Sequence, residues 1–178
     1  MIIIVEGIDR VGKTTLCNKI HNLNSFPVFK HSNESFDYSK MDNDNETDKM
    51  LQLVELASMT KSDVIFDRFH LSDTVYGQLE RNYEYYKAEE NFKKIDERLS
   101  KEDSVLIHVY PSNYEKLMKA STEHGKDLLH YFEMFMEFYE KSKMNKMMIC
   151  YEFFDSFTNS ARCRGLRNEI KRIAVENC

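Results

Sequence analysis

Apolar positions in this chain come in two rhythms, short unbroken runs and helical spacings, and they take turns along its length. Ile2 to Val5 is an unbroken apolar run that ends on Glu6 and Gly7. It reads as a buried parallel strand. A helix is predicted from Lys13 to about His21, and Pro27-Val28-Phe29 opens a second strand. Residues 31 to 48 are polar and crowded with Asn, Ser and Asp. They predict a solvated connection. Its acidic cluster, Asp42, Asp44, Glu46 and Asp48, has side chains that could ligate a metal, but it reads as part of that connection. Met50, Leu51, Leu53, Val54 and Ala57 fall at helical spacing up to Lys61. Val64-Ile65-Phe66 is a third strand, ending on Asp67. Leu71 to Leu79 and Tyr85 to Leu99 read as helices, and Val105 to Val109 as a fourth strand. Pro111-Ser112-Asn113 then starts a helix, with Ser112 or Asn113 as its cap. Leu128, Phe132, Phe135 and Tyr139 lie at i, i+4, i+7 and i+11, a core-facing stripe of a long helix. Met147 to Phe154 is a fifth strand, and Glu169 to Val175 lies in a closing helix. The alternation predicts an α/β fold, a five-stranded parallel sheet flanked by helices.

With 178 residues, the chain has the size of one domain, 1–178. Its 42% apolar and 31% charged residues are those of a soluble globule. No apolar run reaches membrane-spanning length, and Met1 to Val5 is too short for a signal peptide. The expectation is a cytoplasmic protein with no membrane partner. Cys17, Cys150, Cys163 and Cys178 form no close pair, which predicts reduced thiols and no zinc site. A net charge of −5 argues against a stable nucleic-acid partner. It does not argue against ATP, whose charge is met locally.

The first chemical element lies where the first strand meets the first helix. Gly7, four residues, Gly12, Lys13 and Thr14 form the phosphate-binding pattern G-x-x-x-x-G-K-[ST]. Glycines let the backbone curl so that its N–H groups face an anion, and the helix adds its positive end. The expected ATP-binding residues are Gly7, Ile8, Asp9, Arg10, Val11, Gly12, Lys13, Thr14 and Thr15. Lys13 can reach the outer phosphates, and the Thr14 hydroxyl can ligate Mg²⁺. ATP and Mg²⁺ are therefore the expected cofactors.

The second element is Val64 to Gln78, VIFDRFHLSDTVYGQ. Asp67 stands at the carboxyl end of an apolar strand, where α/β sheets face their ligand crevice and where a carboxylate can hold Mg²⁺. Arg68 follows and could grip a second phosphate bidentately.

EGIDRVGKTT at Glu6 to Thr15 and DRFHLSDTVYG at Asp67 to Gly77 together resemble the thymidylate kinase family of P-loop nucleoside monophosphate kinases. The motif match covers about residues 1–20 and 63–78; elsewhere the similarity is one of element order and length. The resemblance implies a three-layer P-loop kinase fold and transfer of the γ-phosphate of ATP to a deoxypyrimidine nucleoside monophosphate, dTMP or a close analogue. Lys13, Arg10, Asp67 and Arg68 would be catalytic, and Thr14 and Asp67 would hold the metal. Asp9 resembles the loop carboxylate that takes a hydrogen bond from the acceptor's 3′-hydroxyl, and Arg10 the loop arginine that stabilises the transferring group. Arg68 would clamp the acceptor phosphate. Ser72 belongs to the family pattern, and Tyr76 resembles the aromatic residue that crowds the sugar 2′ position. Asp9, Arg68, Ser72 and Tyr76 are thus the expected substrate contacts. A lid is expected around residues 119–127, with Lys119, His124, Gly125 and Lys126. The adenine ring is expected near Asp155 to Asn159. Family members are often dimers, so a homodimer is implied.

The chain departs from the family in two places. Met50 to Lys61 contains no arginine, and Phe29-Lys30-His31 is a weak counterpart of a longer arginine-bearing segment. The wall that reads the base is therefore altered. The compact length and lysine-rich, cysteine-containing style suit a phage or viral member, acting in the host cytoplasm. Two alternatives stand beside the monophosphate kinase. One is a kinase acting on a hydroxyl of a deoxynucleoside, with Glu6 or Asp67 as base, or on a hydroxymethylated pyrimidine in DNA, with Arg162, Arg164, Arg167, Lys171 and Arg172 as a basic patch. The other is a non-catalytic ATP-binding sensor.

Overall fold

Strand β1, Ile2–Glu6, is buried along its whole length and forms the middle of the sheet. The computed structural model describes residues 1–30, 43–60, 62–113 and 127–176. Four further strands, β2 (Val28–Lys30), β3 (Val64–Asp67), β4 (Ser104–Tyr110) and β5 (Asn145–Cys150), give a five-stranded sheet in the order β2-β3-β1-β4-β5. Every pairing is parallel, as strands joined by helical crossovers require. Val5 stands opposite Asp67 in β3, and Glu6 opposite His108 in β4. The carboxyl ends of the three central strands thus meet at one edge of the sheet, where a doubly wound fold binds its ligand.

The helices are α1 (Lys13–Asn24), α2 (Asn43–Met59), α3 (His70–Glu80), α4 (Tyr85–Leu99), α5 (Leu128–Lys141), α6 (Phe154–Arg164) and α7 (Leu166–Glu176). The core joins the strand interiors to Leu16 and Ile20 of α1, Leu71 and Val75 of α3, Phe92 of α4 and Phe135 and Phe138 of α5. On α5 the predicted stripe faces inward: Leu128, Phe135 and Tyr139 are buried, and Phe132 packs against the core from a half-buried position. No described helix is long and apolar enough to cross a membrane.

Some boundaries differ from the sequence expectation. Residues 43–48 begin α2 rather than ending a connection. Acidic side chains near a helix start are favoured by the helix dipole, so the polar composition that reads as a loop also suits a first turn. Glu46 is buried there and pairs with Lys49 at 3.5 Å; Asp42 lies outside the described residues. The fifth strand stops at Cys150, not Phe154. The chain turns through a short 3₁₀ segment, Tyr151–Phe153, into α6, a helix the apolar pattern does not announce. The aromatic residues that mimic a strand there split: Tyr151 and Phe153 are exposed, while Phe154 is buried. The helix expected after Pro111 and the lid at 119–127 lie outside the described residues, save Asp127. That residue caps α5 by accepting from the His130 N–H at 3.2 Å.

The C-terminal basic run spans α6 and α7; within it Arg167 pairs with Asp63 and Asp103, and Arg172 with the buried Glu169.

Candidate active site

The loop between β1 and α1 is shaped by two glycines. Gly7 has φ 139°, and a Cβ there would sit 2.2 Å from the Val109 carbonyl oxygen, so the loop can press onto β4 only without a side chain. Gly12 has φ 94° and lies under the Tyr151 ring, 2.8 Å from where a Cβ would stand. Arg10 also takes a left-handed φ, 65°, and its side chain is exposed at the rim. Such a conformation costs a non-glycine residue about 1–2 kcal/mol, and functional loops commonly carry it.

Lys13, the first residue of α1, is buried and donates to the Ile8 carbonyl. Burial, and after it the positive charge of Arg68, push its ammonium down to about 8, against the opposing pull of Asp9, Glu6 and Asp67. This site therefore holds two cations and three carboxylates close enough to sense one another. An anion arriving between the cations would relieve their repulsion. Next to Lys13, the Thr14 hydroxyl donates to Asp67 Oδ2 at 2.6 Å. Strand-end carboxylate and loop hydroxyl thus converge, two hard oxygens of the kind Mg²⁺ takes alongside phosphate oxygens and water. Among the described residues there is no cluster of three or more His, Cys, Asp or Glu side chains suited to hold a metal by themselves.

Arg68 follows Asp67 with φ 71°, again left-handed. Its guanidinium forms an ion pair with Asp9 and lies 5.2 Å from the centre of the Tyr76 ring. Tyr76, one helical stretch later on α3, is buried against Tyr131 and Phe135 of α5. Its hydroxyl makes no hydrogen bond of good geometry with the described residues. Burial, and then Asp9, hold the phenol well above its ordinary range, so it stays neutral. Asp9, Arg68 and Tyr76, which lie far apart in sequence, therefore form one cluster. Ser72 is placed differently. It is buried, and its hydroxyl donates to Glu6 rather than facing the cleft.

A cleft of about 360 Å³ opens beside these groups. Its walls are Asp9 to Gly12 and Thr15 on the loop side, Tyr110 at the end of β4 with Pro111 to Asn113 and Leu128 beyond it, and Tyr151 with Glu152 after β5. Tyr151 and Glu152, not Asp155 to Asn159, line it. Asp155 instead pairs with Lys19 at 2.6 Å. Tyr110, Tyr151 and Glu152 carry no signal in the sequence, because their place depends on where β4 and β5 end. Glu6, an alternative base by sequence, does carry one. A carboxylate at the close of a fully apolar run is the signal that it has a buried partner.

No protein-family model matches the chain, and no curated protein matches it in sequence. Solved structures do. The YorR protein of Bacillus subtilis, in complex with phosphorylated GDP, is 20% identical with a TM-score of 0.67, covering 90% of this chain and 92% of its own. Deoxyadenosine kinase of M. mycoides with bound dATP is 17% identical with a TM-score of 0.54, covering 99% and 98%. The same enzyme with the products dCMP and a flexible dCDP is 15% identical with a TM-score of 0.52, over the same shares. At these identities the likeness is one of fold: an α/β P-loop kinase fold with a five-stranded, all-parallel sheet flanked by helices.

Proposed function

We propose that the protein transfers the γ-phosphoryl group of ATP to the phosphate of a deoxypyrimidine nucleoside monophosphate, dTMP or a close analogue. One observation carries this reading. Arg68, paired with Asp9 and laid against Tyr76, stands close enough to the phosphate-loop Lys13 to depress its pKa. This arrangement supports a reading in which one cation serves the donor's phosphates and the second an acceptor's. In-line transfer between two anions is mainly positioning and charge neutralisation. Lys13 would neutralise the β- and γ-phosphates, and Arg10 the transferring group. Arg68 would hold the acceptor phosphate, one of whose oxygens attacks the γ-phosphorus as the bond to the β-phosphate oxygen breaks and ADP leaves. Asp9 would take the sugar hydroxyl, and Tyr76 would crowd the 2′ position. Thr14 and Asp67 would hold Mg²⁺, which supplies further neutralisation of the phosphates when bound.

The fold likeness to a deoxyadenosine kinase favours a second reading, phosphorylation of a deoxynucleoside hydroxyl. That chemistry uses a carboxylate to take the hydroxyl proton. Glu6 is engaged, accepting four hydrogen bonds at the start of α3, whereas among the described residues Asp67 holds only the Thr14 hydroxyl. The engagement of Glu6 supports the monophosphate reading. The ion pairs of Arg167 and Arg172 speak against a DNA acceptor. Arg68→Ala is the test. Loss of a bidentate charged contact made in both ground and transition states predicts a higher acceptor KM, a lower kcat, and a fall in kcat/KM of roughly 10- to 100-fold. Unchanged acceptor kinetics would remove Arg68 from the acceptor site.

A further inference from the structure

Glu6 is the last residue of β1, and its side chain is fully buried. Its carboxylate accepts from the N–H groups of Phe69 at 2.7 Å, Leu71 at 3.1 Å and Ser72 at 3.2 Å, and from the Ser72 hydroxyl. These donors sit in the first turn of α3 or just before it. The residue in the cap position, Phe69, offers no side-chain bond. A helix start leaves several N–H groups unsatisfied. Here they are satisfied by a carboxylate from a strand 63 to 66 residues earlier in the chain.

The same bonds hold Arg68. Its own N–H donates to the Val5 carbonyl at 3.0 Å, and the next N–H, that of Phe69, donates to Glu6. The residue is therefore fixed on both sides by the end of β1. A left-handed non-glycine conformation persists where its surroundings determine it in this way. One residue further on from Glu6, Gly7 opens the phosphate loop.

We propose that Glu6 is a positioning residue that ties the strand carrying the phosphate loop to the turn carrying Arg68, and so sets the distance between the donor's and acceptor's phosphates. The proposal rests on the kinase reading above. Ser72 acts within it through Glu6, not by touching substrate. Glu6 and Ser72 thereby join the two sequence motifs, EGIDRVGKTT and DRFHLSD, into one mechanical unit.

The test compares Glu6→Ala, Glu6→Gln and Ser72→Ala by three readouts: acceptor KM and kcat, Kd for a non-hydrolysable ATP analogue, and hydrogen exchange at the Phe69, Leu71 and Ser72 amides. Glu6→Ala removes every bond. Acceptor KM rises about tenfold or more and kcat falls, while the analogue's Kd stays within about twofold. Glu6→Gln is the rescue. Its amide oxygen can still accept from the three N–H groups and its NH₂ can donate to the Ser72 oxygen, so acceptor KM stays within about threefold of wild type. Ser72→Ala keeps Glu6 and one bond fewer, and acceptor KM rises roughly three- to tenfold; this variant carries the test if Glu6→Ala does not fold. Two results would overturn the proposal: acceptor KM and analogue Kd rising by the same factor, or Glu6→Gln as damaging as Glu6→Ala. If wild-type protein turns over no acceptor, the kinase reading falls and amide exchange still judges the tie. Faster exchange confined to the start of α3 in Ser72→Ala upholds it; exchange unaltered there sinks it.

Discussion

Raising the pH deprives the phosphate loop of its lysine charge within a range that solution experiments reach easily. Lys13 has its ordinary value of 10.5 brought down to about 8, by burial first and by Arg68 second. A bound triphosphate places negative charge against the ammonium and returns it toward 10.5. At pH 7 the free lysine is already roughly nine-tenths protonated, so binding takes up about 0.1 proton. At pH 9 it is roughly nine-tenths neutral, and binding takes up about 0.9 proton. The affinity for ATP then falls about tenfold between pH 7 and pH 9, close to 1.4 kcal/mol. Calorimetric titration with a non-hydrolysable ATP analogue, repeated in buffers of different ionisation enthalpy, measures the proton uptake directly. The phosphate itself is fully ionised well below pH 9, its last pKa being roughly 6, so it adds nothing there. Lys13→Met removes the uptake. Uptake below about 0.3 proton at pH 9, with affinity flat from pH 7, would show that the free lysine keeps its charge, and the reading of two cations crowded in one site would be wrong.

Two further predictions concern buried rings. His108 lies in β4 among Phe132, Phe135 and Tyr139, with neither ring nitrogen hydrogen-bonded to the described residues. Burial, with a smaller push from Lys13, takes it from 6.5 to about 3. The folded protein keeps the ring neutral while the unfolded chain takes up a proton below 6.5, so stability is lost as pH falls from 6.5 toward 3. Urea unfolding at pH 7 and pH 5 would show wild type losing about 2 kcal/mol more than His108→Phe; equal losses would refute the buried neutral ring. If Tyr76 crowds the acceptor sugar as proposed, Tyr76→Ala would raise kcat/KM for ribonucleotide acceptors relative to deoxyribonucleotides, by roughly tenfold. An unaltered ratio, measured by competition, would leave Tyr76 a packing residue against α5.

Much of this arrangement is legible in the amino-acid order, and the parts that are not share a cause. Gly7, Gly12, Lys13 and Thr14 are local: a strand, a turn and a helix start fix one another within eighteen residues. Asp67 and Arg68 follow from the end of an apolar run. Helix α4 is marked by its strong periodicity and matches at both ends, Tyr85–Leu99. What the sequence conceals depends on long-range partners. The Ser72 hydroxyl looks free on an amphipathic helix, and only the packing of β1 beneath α3 turns it toward Glu6. Helix α6 is hidden because Tyr151, Phe153 and Phe154 prolong an apolar run, and burial at helical spacing, Phe154 then Phe157, begins only after the chain has turned. His108 hides inside another such run: a polar ring in a strand of Val, Leu and Ile attracts no notice until its neighbours are known.

Phosphoryl transfer onto a nucleotide's phosphate can be measured directly. ADP release with Mg-ATP would be measured against dTMP, the other deoxynucleoside monophosphates, thymidine, and DNA with hydroxymethylated pyrimidines. The expected result is turnover with dTMP or another deoxypyrimidine monophosphate, none with thymidine, and loss of that turnover in Lys13→Ala. Turnover with thymidine or with DNA alone would contradict it, and would take from Arg68 and Asp9 the acceptor roles assigned to them.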